Sequence, residues 1–484
     1  MGLGEEDNHQ PLLTSAVTEE EEEEEDIHGV PGQPINKNLI VRTLSESQKI
    51  WHIALPSIFS RLAMFSVTII THDLDLAAIS IVTTVLIGIT FGFLVIPNAL
   101  ETLCGQAFGA KQYQMLGIYM QRSWVVLFIS SLLMLLPYVF ATPILKFTGQ
   151  SPAVAERAGT VALWLVPMHL SFAFQFSLLR FLQCQLKTSV VAWVSVGVLA
   201  LHVFVSWVFV YRLRVGIVGT AVGVQILGRV SQGKLLLGCG SFSSFLLLLG
   251  LCSRCSLSLS LSLSLENFYY RVLIIVSGNM ENAEIALDAL SICITIFAWE
   301  SMIPLGFFAA TGVRVANELG AGNGEGAKFA TIISVFTTLL VGLLFWALII
   351  AIPDKLAMIF TSNTSVIAMV KELAVMLAFT ILLNCFQPVL SGVAVGSGWQ
   401  ASVAFVNLGS YYIVGVPMGI ILGCKIKVTE SICTEKLCPQ GVWAGMISGT
   451  VVQTLILAIM TTRCKWEKEV QKARFAWTSA AVTN

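Results

Sequence analysis

From Lys49 onward the chain alternates between long apolar windows and short polar breaks. Crossing the hydrocarbon of a bilayer takes about 20 consecutive, mainly apolar residues. Windows of that length fall at 50–71, 76–97, 116–140, 158–179, 189–211, 215–235, 255–277, 285–310, 329–352, 373–396, 401–423 and 441–462, which predicts twelve membrane spans. Each is predicted as a helix, because an open strand leaves its backbone N–H and C=O groups unpaired in lipid. The seventh window is anomalous. Residues 255–265 read CSLSLSLSLSL, a strict period of two that belongs to strands in water.

Composition agrees with lipid as the solvent. Of 484 residues, 56% are hydrophobic and only 12% charged, against about 25% charged in soluble domains. The net charge of −1 argues against a nucleic-acid partner. Residues 1–46 precede the first window and carry a like-charge run, Glu19 to Asp26, so they are expected to be a disordered, acidic cytosolic tail. They hold no apolar run with a cleavage site, hence no signal peptide is expected. Residues 464–484 are expected to be a second cytosolic tail. Lys and Arg are in modest excess on segments that face inward if residue 1 is cytosolic, which supports both termini inside. The eleven cysteines sit mostly alone in apolar stretches, where Cys behaves as a small hydrophobe. Cys252 and Cys255 form a CxxC without a second pair or a His cluster, so no metal and no cofactor are expected. Cys433 and Cys438 share a polar loop as a pair or as free thiols.

The two halves of the chain repeat. QAFGAKQ, Gln106 to Gln112, matches NELGAGN, Asn317 to Asn323, at an offset of 211. VAWV at 191–194 matches VAFV at 403–406 at 212, and GIVGT at 216–220 matches GVWAG at 441–445 at 225. Two agreeing offsets predict two six-helix lobes in the same orientation, at 47–228 and 265–463, related by an axis along the membrane normal as in secondary transporters. The jump to 225 predicts an insertion, placed at 427–439. The motif residues Gln106, Gly109, Glu318, Gly320 and Asn323 are expected to be structural, forming cytosolic turns that let helices pack closely.

Three longer stretches carry a resemblance: ALETLCGQAFGAKQYQMLGIYMQRSW (Ala99 to Trp124), GVRVANELGAGNGEGAKFAT (Gly312 to Thr331) and PVLSGVAVGSGWQ (Pro388 to Gln400). They resemble the plant DETOXIFICATION branch of the multidrug and toxic compound extrusion (MATE) transporters, over about Trp51 to Glu469 with breaks. The resemblance implies a monomeric, twelve-helix, two-lobed antiporter in the vacuolar or plasma membrane. Such a protein exchanges protons, or sodium in some branches, for small organic compounds by alternating access. It is not an enzyme, and the chain has no GxxxxGK[ST] phosphate loop.

The chain departs from the family pattern between the first two spans, where about eight residues of helix end are missing, and most of all at 229–264. A CT-dinucleotide repeat translates as Leu-Ser in every frame, such tracts lie just upstream of intron acceptor sites, and family-like sequence resumes at Leu265. Residues 229–264 are therefore read as intron-derived. The competing reading is a lineage-specific seventh span, which Ser-Leu sequence tolerates in lipid.

Ionisable groups inside spans are costly, about 2.5–3.5 kcal/mol each at mid-membrane on insertion scales, so they are candidates for function. They are Arg61, His169, His202, Glu266, Arg271 and Glu300. The resemblance makes Glu266 the cation-coupling carboxylate of the C-terminal lobe, since antiport needs a group that gains and loses a proton at working pH. Many relatives carry a second carboxylate in the tenth span, where this chain has Asn384. Glu300, near the middle of span eight, is nominated by position alone as a second proton site or a partner of Arg271. Asn384, Gln387, Tyr269 and Trp299 are expected to line a substrate cavity; helix-to-helix hydrogen bonding, packing and interface anchoring are the plainer roles for the same residues. His169 and His202 are expected to be satisfied core histidines. The first span has no acid before Ile70, so the N-terminal lobe is expected to lack the buried carboxylate used by some prokaryotic relatives. Two other functions compete with antiport: a lipid-linked sugar flippase, which needs a more cationic central cavity, and an inactive paralogue.

Overall fold

The computed structural model describes residues 35–70, 97–147, 152–208, 283–425 and 437–482. Every regular element among them is a helix. In chain order these are α1 (Ile35–Ile70), α2 (Pro97–Gly109), α3 (Tyr113–Leu133), α4 (Leu135–Val139), α5 (Ala141–Phe147), α6 (Pro152–Cys184), α7 (Thr188–Trp207), α8 (Ala283–Gly320), α9 (Gly324–Ala351), α10 (Pro353–Met358), α11 (Thr364–Gly396), α12 (Gln400–Leu408), a π-helical stretch (Gly409–Gly415), α13 (Val416–Lys425), α14 (Leu437–Thr462) and α15 (Trp466–Val482). Residues up to Glu46 form one compact unit and those from Ser47 a second. Six helices among the described residues are long and apolar enough to cross a membrane, with the bent pair Ala155–Pro167 and His169–Cys184 a seventh. The bend of 45° falls at Pro167, which lacks the N–H that would continue the helix ladder. The anomalous segment 229–264, the windows at 215–235 and 255–277, and most of the window at 76–97 lie outside the described residues. So does most of the insertion placed at 427–439, although α14 already begins at Leu437.

The helices overrun their predicted windows, and the overrun shapes the molecule. With 38 residues, α8 is about 57 Å long at 1.5 Å per residue, far more than the roughly 30 Å hydrocarbon. The motif at 317–323, read from sequence as a turn, is therefore the last helical turn of α8 and the cap that ends it. QAFGAKQ ends α2 in the same way.

The backbone carries the repeat at these caps. Among the described residues four have left-handed φ: Lys111 at 57°, Leu186 at 62°, Gly322 at 83° and Gly398 at 82°. Gly322 lies 211 positions after Lys111 and Gly398 lies 212 after Leu186, the two offsets seen in the sequence. Each cap makes the same two hydrogen bonds of a Schellman motif. Gln112 N–H donates to Ala107 O and Lys111 N–H to Phe108 O; Asn323 N–H donates to Glu318 O and Gly322 N–H to Leu319 O. The caps at Leu186 and Gly398 repeat the pattern. The C-terminal half places glycine at both left-handed positions and the N-terminal half places a side chain there.

Within the expected cytosolic tail at 464–484, residues Trp466–Val482 form a helix docked on the bundle. α15 is amphipathic: Trp466 and Ala473 pack on Val315, Leu319, Ala327 and Val393, while Lys472 and Phe475 face outward. The Trp399 indole N–H donates to Glu469 Oε2 at 3.1 Å, fixing the helix to the α11–α12 cap.

Two measurements check this description. Lys111→Gly relieves a left-handed strain of about 1–2 kcal/mol at an exposed site, so it raises thermal stability in detergent. Gly322→Ala, where a Cβ meets only ordinary contact, lowers stability by a similar amount. At the start of α15, burial and the Glu469 carboxylate push the Cys464 thiol up to about 11, with Lys472 opposing. Its thiolate fraction at neutral pH is then on the order of 100-fold below that of an ordinary thiol. Peptide-resolved maleimide labelling is expected to find Cys464 slow at pH 7 and faster as the pH approaches 11. Labelling at a free thiol's rate would show that the docking described here is wrong.

Candidate functional site

Two places in the described structure concentrate polar chemistry: the seam where the N-terminal and C-terminal lobes meet, and a buried carboxylate inside the C-terminal lobe.

The seam is built by α2 against α8. Their contact is reciprocal: a Cβ on Gly109 would run into the Asn317 carbonyl oxygen, and a Cβ on Gly320 into that of Gln106. Gly105 similarly faces Ala316 across the seam. Only hydrogen side chains let two backbones approach this closely. Around this contact Thr102 Oγ1 donates to Val395 O at 2.5 Å, Gln106 Nε2 donates to Gly396 O at 3.2 Å, and Gln400 Nε2 donates to Thr102 Oγ1 at 2.6 Å. These bonds link α2 to α11 and α12. On α1, Trp51 stacks edge-on against Phe307 at 5.0 Å, and Gly306 sits against Ala54 and Ile58. One apolar cluster therefore holds residues of both lobes, among them Ile53, Ala54, Leu100, Cys104, Phe307 and Val313.

The motif residues all gather here. Glu318 is held by the Arg314 guanidinium and by Asn323 Nδ2 at 2.9 Å, while Asn323 Oδ1 caps α9 by accepting from Gly326 N–H at 2.8 Å. Gln106, Gly109 and Gly320 make the cross-lobe contacts just described.

Sequence reasoning missed the charge in the seam. Glu101 is fully buried, and Arg180 from α6 is nearly so, with 2.7 Å between Arg180 Nη1 and Glu101 Oε2. The contact is an ion pair rather than an aligned hydrogen bond. Glu101 Oε1 presses on Gly312 of α8, and the Arg180 guanidinium lies 5.8 Å from the centroid of the Phe308 ring. The N-terminal lobe therefore holds a buried carboxylate outside its first span, one not nominated from the sequence. The acid comes from the second span, in ALETLC, which lay beyond the predicted window and so escaped the search for charge in lipid. The signal was available: Glu101 stands four residues past an apolar window, on α2.

In the C-terminal lobe, Glu300 of α8 is 4% exposed. Asn384 Nδ2 of α11 donates to its Oε2 at 3.4 Å, and Cys385 Sγ approaches Oε1 at 3.5 Å. Among the described residues no cation pairs with it. Asn384, predicted for the cavity, is therefore brought to Glu300. Gln387 is not: its Nε2 donates along α11 to Ser391 Oγ at 3.4 Å. Trp299 is about half exposed at 48% and points to another side of α8. Glu266, Tyr269 and Arg271 lie outside the described residues, as does the side chain of His202. His169 is a buried core histidine beside the Pro167 bend. Its Nε2 meets Ser131 O at 2.8 Å, and its ring lies 4.8 Å from that of Tyr138.

Two pseudo-symmetric helical lobes meeting along a glycine seam, each with a buried acid, define a two-lobed secondary transporter. Comparisons with known proteins agree. The MatE family model matches residues 50–208 and 259–421. Protein DETOXIFICATION 27 of Arabidopsis thaliana is 51% identical over 89% of this chain and 91% of its own length. Protein DETOXIFICATION 26 of the same plant is also 51% identical, over 88% of this chain and 90% of its own. Among solved structures, the eukaryotic MATE transporter AtDTX14 superposes with a TM-score of 0.81 at 29% identity, over 90% of this chain and 99% of that one. The chain belongs to the MATE family of multidrug and toxic compound extrusion transporters. It is accordingly a multi-pass membrane protein of twelve spans in two lobes, and not an enzyme.

The seam generates a prediction. A methyl group at Gly320 has no room, and overpacking costs about 1–3 kcal/mol, so Gly320→Ala drives the two lobes apart at this end. Spin labels at the exposed positions 112 and 325 are expected to show a longer distance in Gly320→Ala than in the parent. An unchanged distance distribution would mean that the glycine contact does not hold the end shut.

Proposed function

We propose that the protein is an antiporter that exports or sequesters small organic compounds in exchange for protons. The observation that carries this reading is Glu300: a carboxylate buried in the C-terminal lobe with amide and thiol neighbours and, among the described residues, no cation. A buried acid left without a fixed counter-charge is suited to bind a mobile one. Its position adds support. Related transporters carry an acid in the tenth span where this chain has Asn384, and Asn384 touches Glu300. The acidic function then sits in the same place, supplied from span eight. Glu266 is the second coupling acid on this reading, and Tyr269, Trp299, Asn384 and Gln387 belong to the substrate side.

The closed seam supports the alternating half of the mechanism. The caps joined there carry Lys111, Lys187 and Lys328 nearby, and Arg463 and Lys465 precede α15. By the positive-inside rule this end is cytosolic, with both termini on that side. The described conformation then has this seam closed at its cytosolic end. Parting α2 from α8 would hydrate Glu101 and Arg180 and open the opposite state.

The test is transport in vesicles reconstituted with the full chain. A proton gradient alone is expected to drive uptake of an organic probe such as ethidium, whereas a sodium gradient alone is not. Glu266→Gln is expected to abolish gradient-driven uptake. Glu300→Gln is expected to reduce it about tenfold, a typical coupling between sites. Undiminished proton-driven uptake in both variants would refute the site assignment, and uptake driven only by sodium would refute the ion.

A further inference from the structure

We propose that Glu101 and Arg180 are positioning residues of the transport cycle: as a pair they let the seam close, and either charge alone holds it open. The proposal rests on the reading that α2 and α8 part and rejoin during transport, but its geometry is independent of the C-terminal acids.

The repeat shows what the pair replaces. At the offsets of 211 and 212, Glu101 corresponds to Gly312 and Arg180 to Gly392. In the C-terminal lobe these two glycines bring α8 and α11 together by backbone: a Cβ on Gly392 would run into the Phe308 carbonyl oxygen, and Gly392 O lies 3.3 Å from where a Cβ on Gly312 would stand. The equivalent helices of the N-terminal lobe, α2 and α6, hold an ion pair at 2.7 Å instead. Across the seam, α2 and α8 meet at equivalent positions. Gly105 faces Ala316, and Glu101 faces Gly312. The side chain missing from one lobe therefore makes the socket for the acid of the other. Packing alone does not require a charge here, since the second lobe is packed without one.

The pair is preset within its own lobe. Arg180 Nη1 donates to Gln183 Oε1 at 3.3 Å, Gln183 Nε2 donates to Ser57 Oγ at 3.1 Å, and Cys184 Sγ donates to the Glu101 carbonyl oxygen at 3.3 Å. Thus α1, α6 and α2 carry it as one body. What α8 presents to it is apolar: Gly312 and the ring of Phe308, 5.8 Å from the guanidinium. Closing the seam therefore takes water from both charges, and that is tolerable only while each neutralises the other. A guanidinium left alone stays charged and favours the open state, where water reaches it. A carboxylate left alone sheds its charge by taking up a proton, so its bias toward the open state is weaker.

The experiment reads the distance between spin labels at positions 112 and 325 in the purified full-length protein, with no substrate and no gradient. Glu101→Gln keeps the shape against Gly312 and removes only the charge. It is expected to lower the ratio of closed to open seam about tenfold or more. Arg180→Met is expected to lower it less. Glu101→Gln combined with Arg180→Met is expected to bring it back near the parent's, and Glu101→Asp, which keeps the charge, to stay closed. An unchanged ratio in Glu101→Gln would overturn the proposal. So would a double variant as open as Glu101→Gln, because the effect would then be one of packing. Should Glu101→Gln not elute as a single species, Arg180→Met against the double variant makes the same comparison. Because distances are read without transport, the two readings separate. A charge-dependent seam without proton-driven uptake would leave the pair's role standing and remove the antiporter. Proton-driven uptake of ethidium with a seam indifferent to these charges would do the reverse.

Discussion

The contact on which the described structure depends is the backbone-to-backbone approach of α2 and α8. Four residues specify it: Gly109 over the Asn317 carbonyl, and Gly320 over that of Gln106. A lobe interface in lipid gains little from hydrophobic burial, because lipid tails are as apolar as Leu; it relies on close packing and hydrogen bonds instead. The glycines supply the first, and the Thr102, Gln106 and Gln400 bonds supply the second. Because each lobe contributes the same motif, the contact is made twice about a pseudo-twofold axis. Neither lobe needs a specialised partner surface.

That economy explains where the charge sits. A seam closed by backbone contact excludes water from whatever lies next to it, and Glu101 and Arg180 lie next to it. Within one lobe the two groups face each other as an ion pair at 2.7 Å. Across the seam it meets Gly312 and the face of Phe308. Both members of the pair belong to the N-terminal lobe, so parting the lobes need not break it. Separation hydrates it rather than breaking it, and hydration of a buried ion pair recovers part of its desolvation cost. The lost apolar and hydrogen-bonding contacts of the seam are offset in this way, which keeps the two states of a transporter close in free energy.

Much of this architecture was legible in the sequence because the repeat was. Offsets of 211 and 212, read from short and individually weak matches, return as paired left-handed caps at Lys111 and Gly322 and at Leu186 and Gly398. Lobe number and parallel orientation followed from that repeat. Glu300 was found because it interrupts an apolar window. The rest was hidden for one physical reason. Hydropathy windows end where lipid ends, whereas helices continue until a cap stops them. Glu101 lies on α2 just beyond its window, so it was not weighed as a charge in lipid, and the docking face of α15 lies on a separate helix past the last window, so it was read as a tail. Arg180 sits at the inner end of α6 and was counted as an orienting charge, although it is buried against Glu101. Pairing of Asn384 with Glu300 could not be read from sequence at all, since it joins residues 84 apart on two helices.

The distribution of acids and bases between the lobes gives the final step. Among the described residues, the C-terminal lobe holds its buried carboxylate without a cation, and the N-terminal lobe holds its own paired with the Arg180 guanidinium. The two lobes therefore differ in charge. On the proposed reading the C-terminal side takes the proton at Glu300, and the N-terminal side keeps its pair against the seam. The two sites share α8, which carries Glu300 near its middle and Gly306, Phe308 and Gly312 along the seam. A shift of α8 therefore alters both at once. Coupling between ion and seam then needs no long chain of intermediates, because one rigid helix carries the acid at one level and forms the wall against the opposite pair a few turns away.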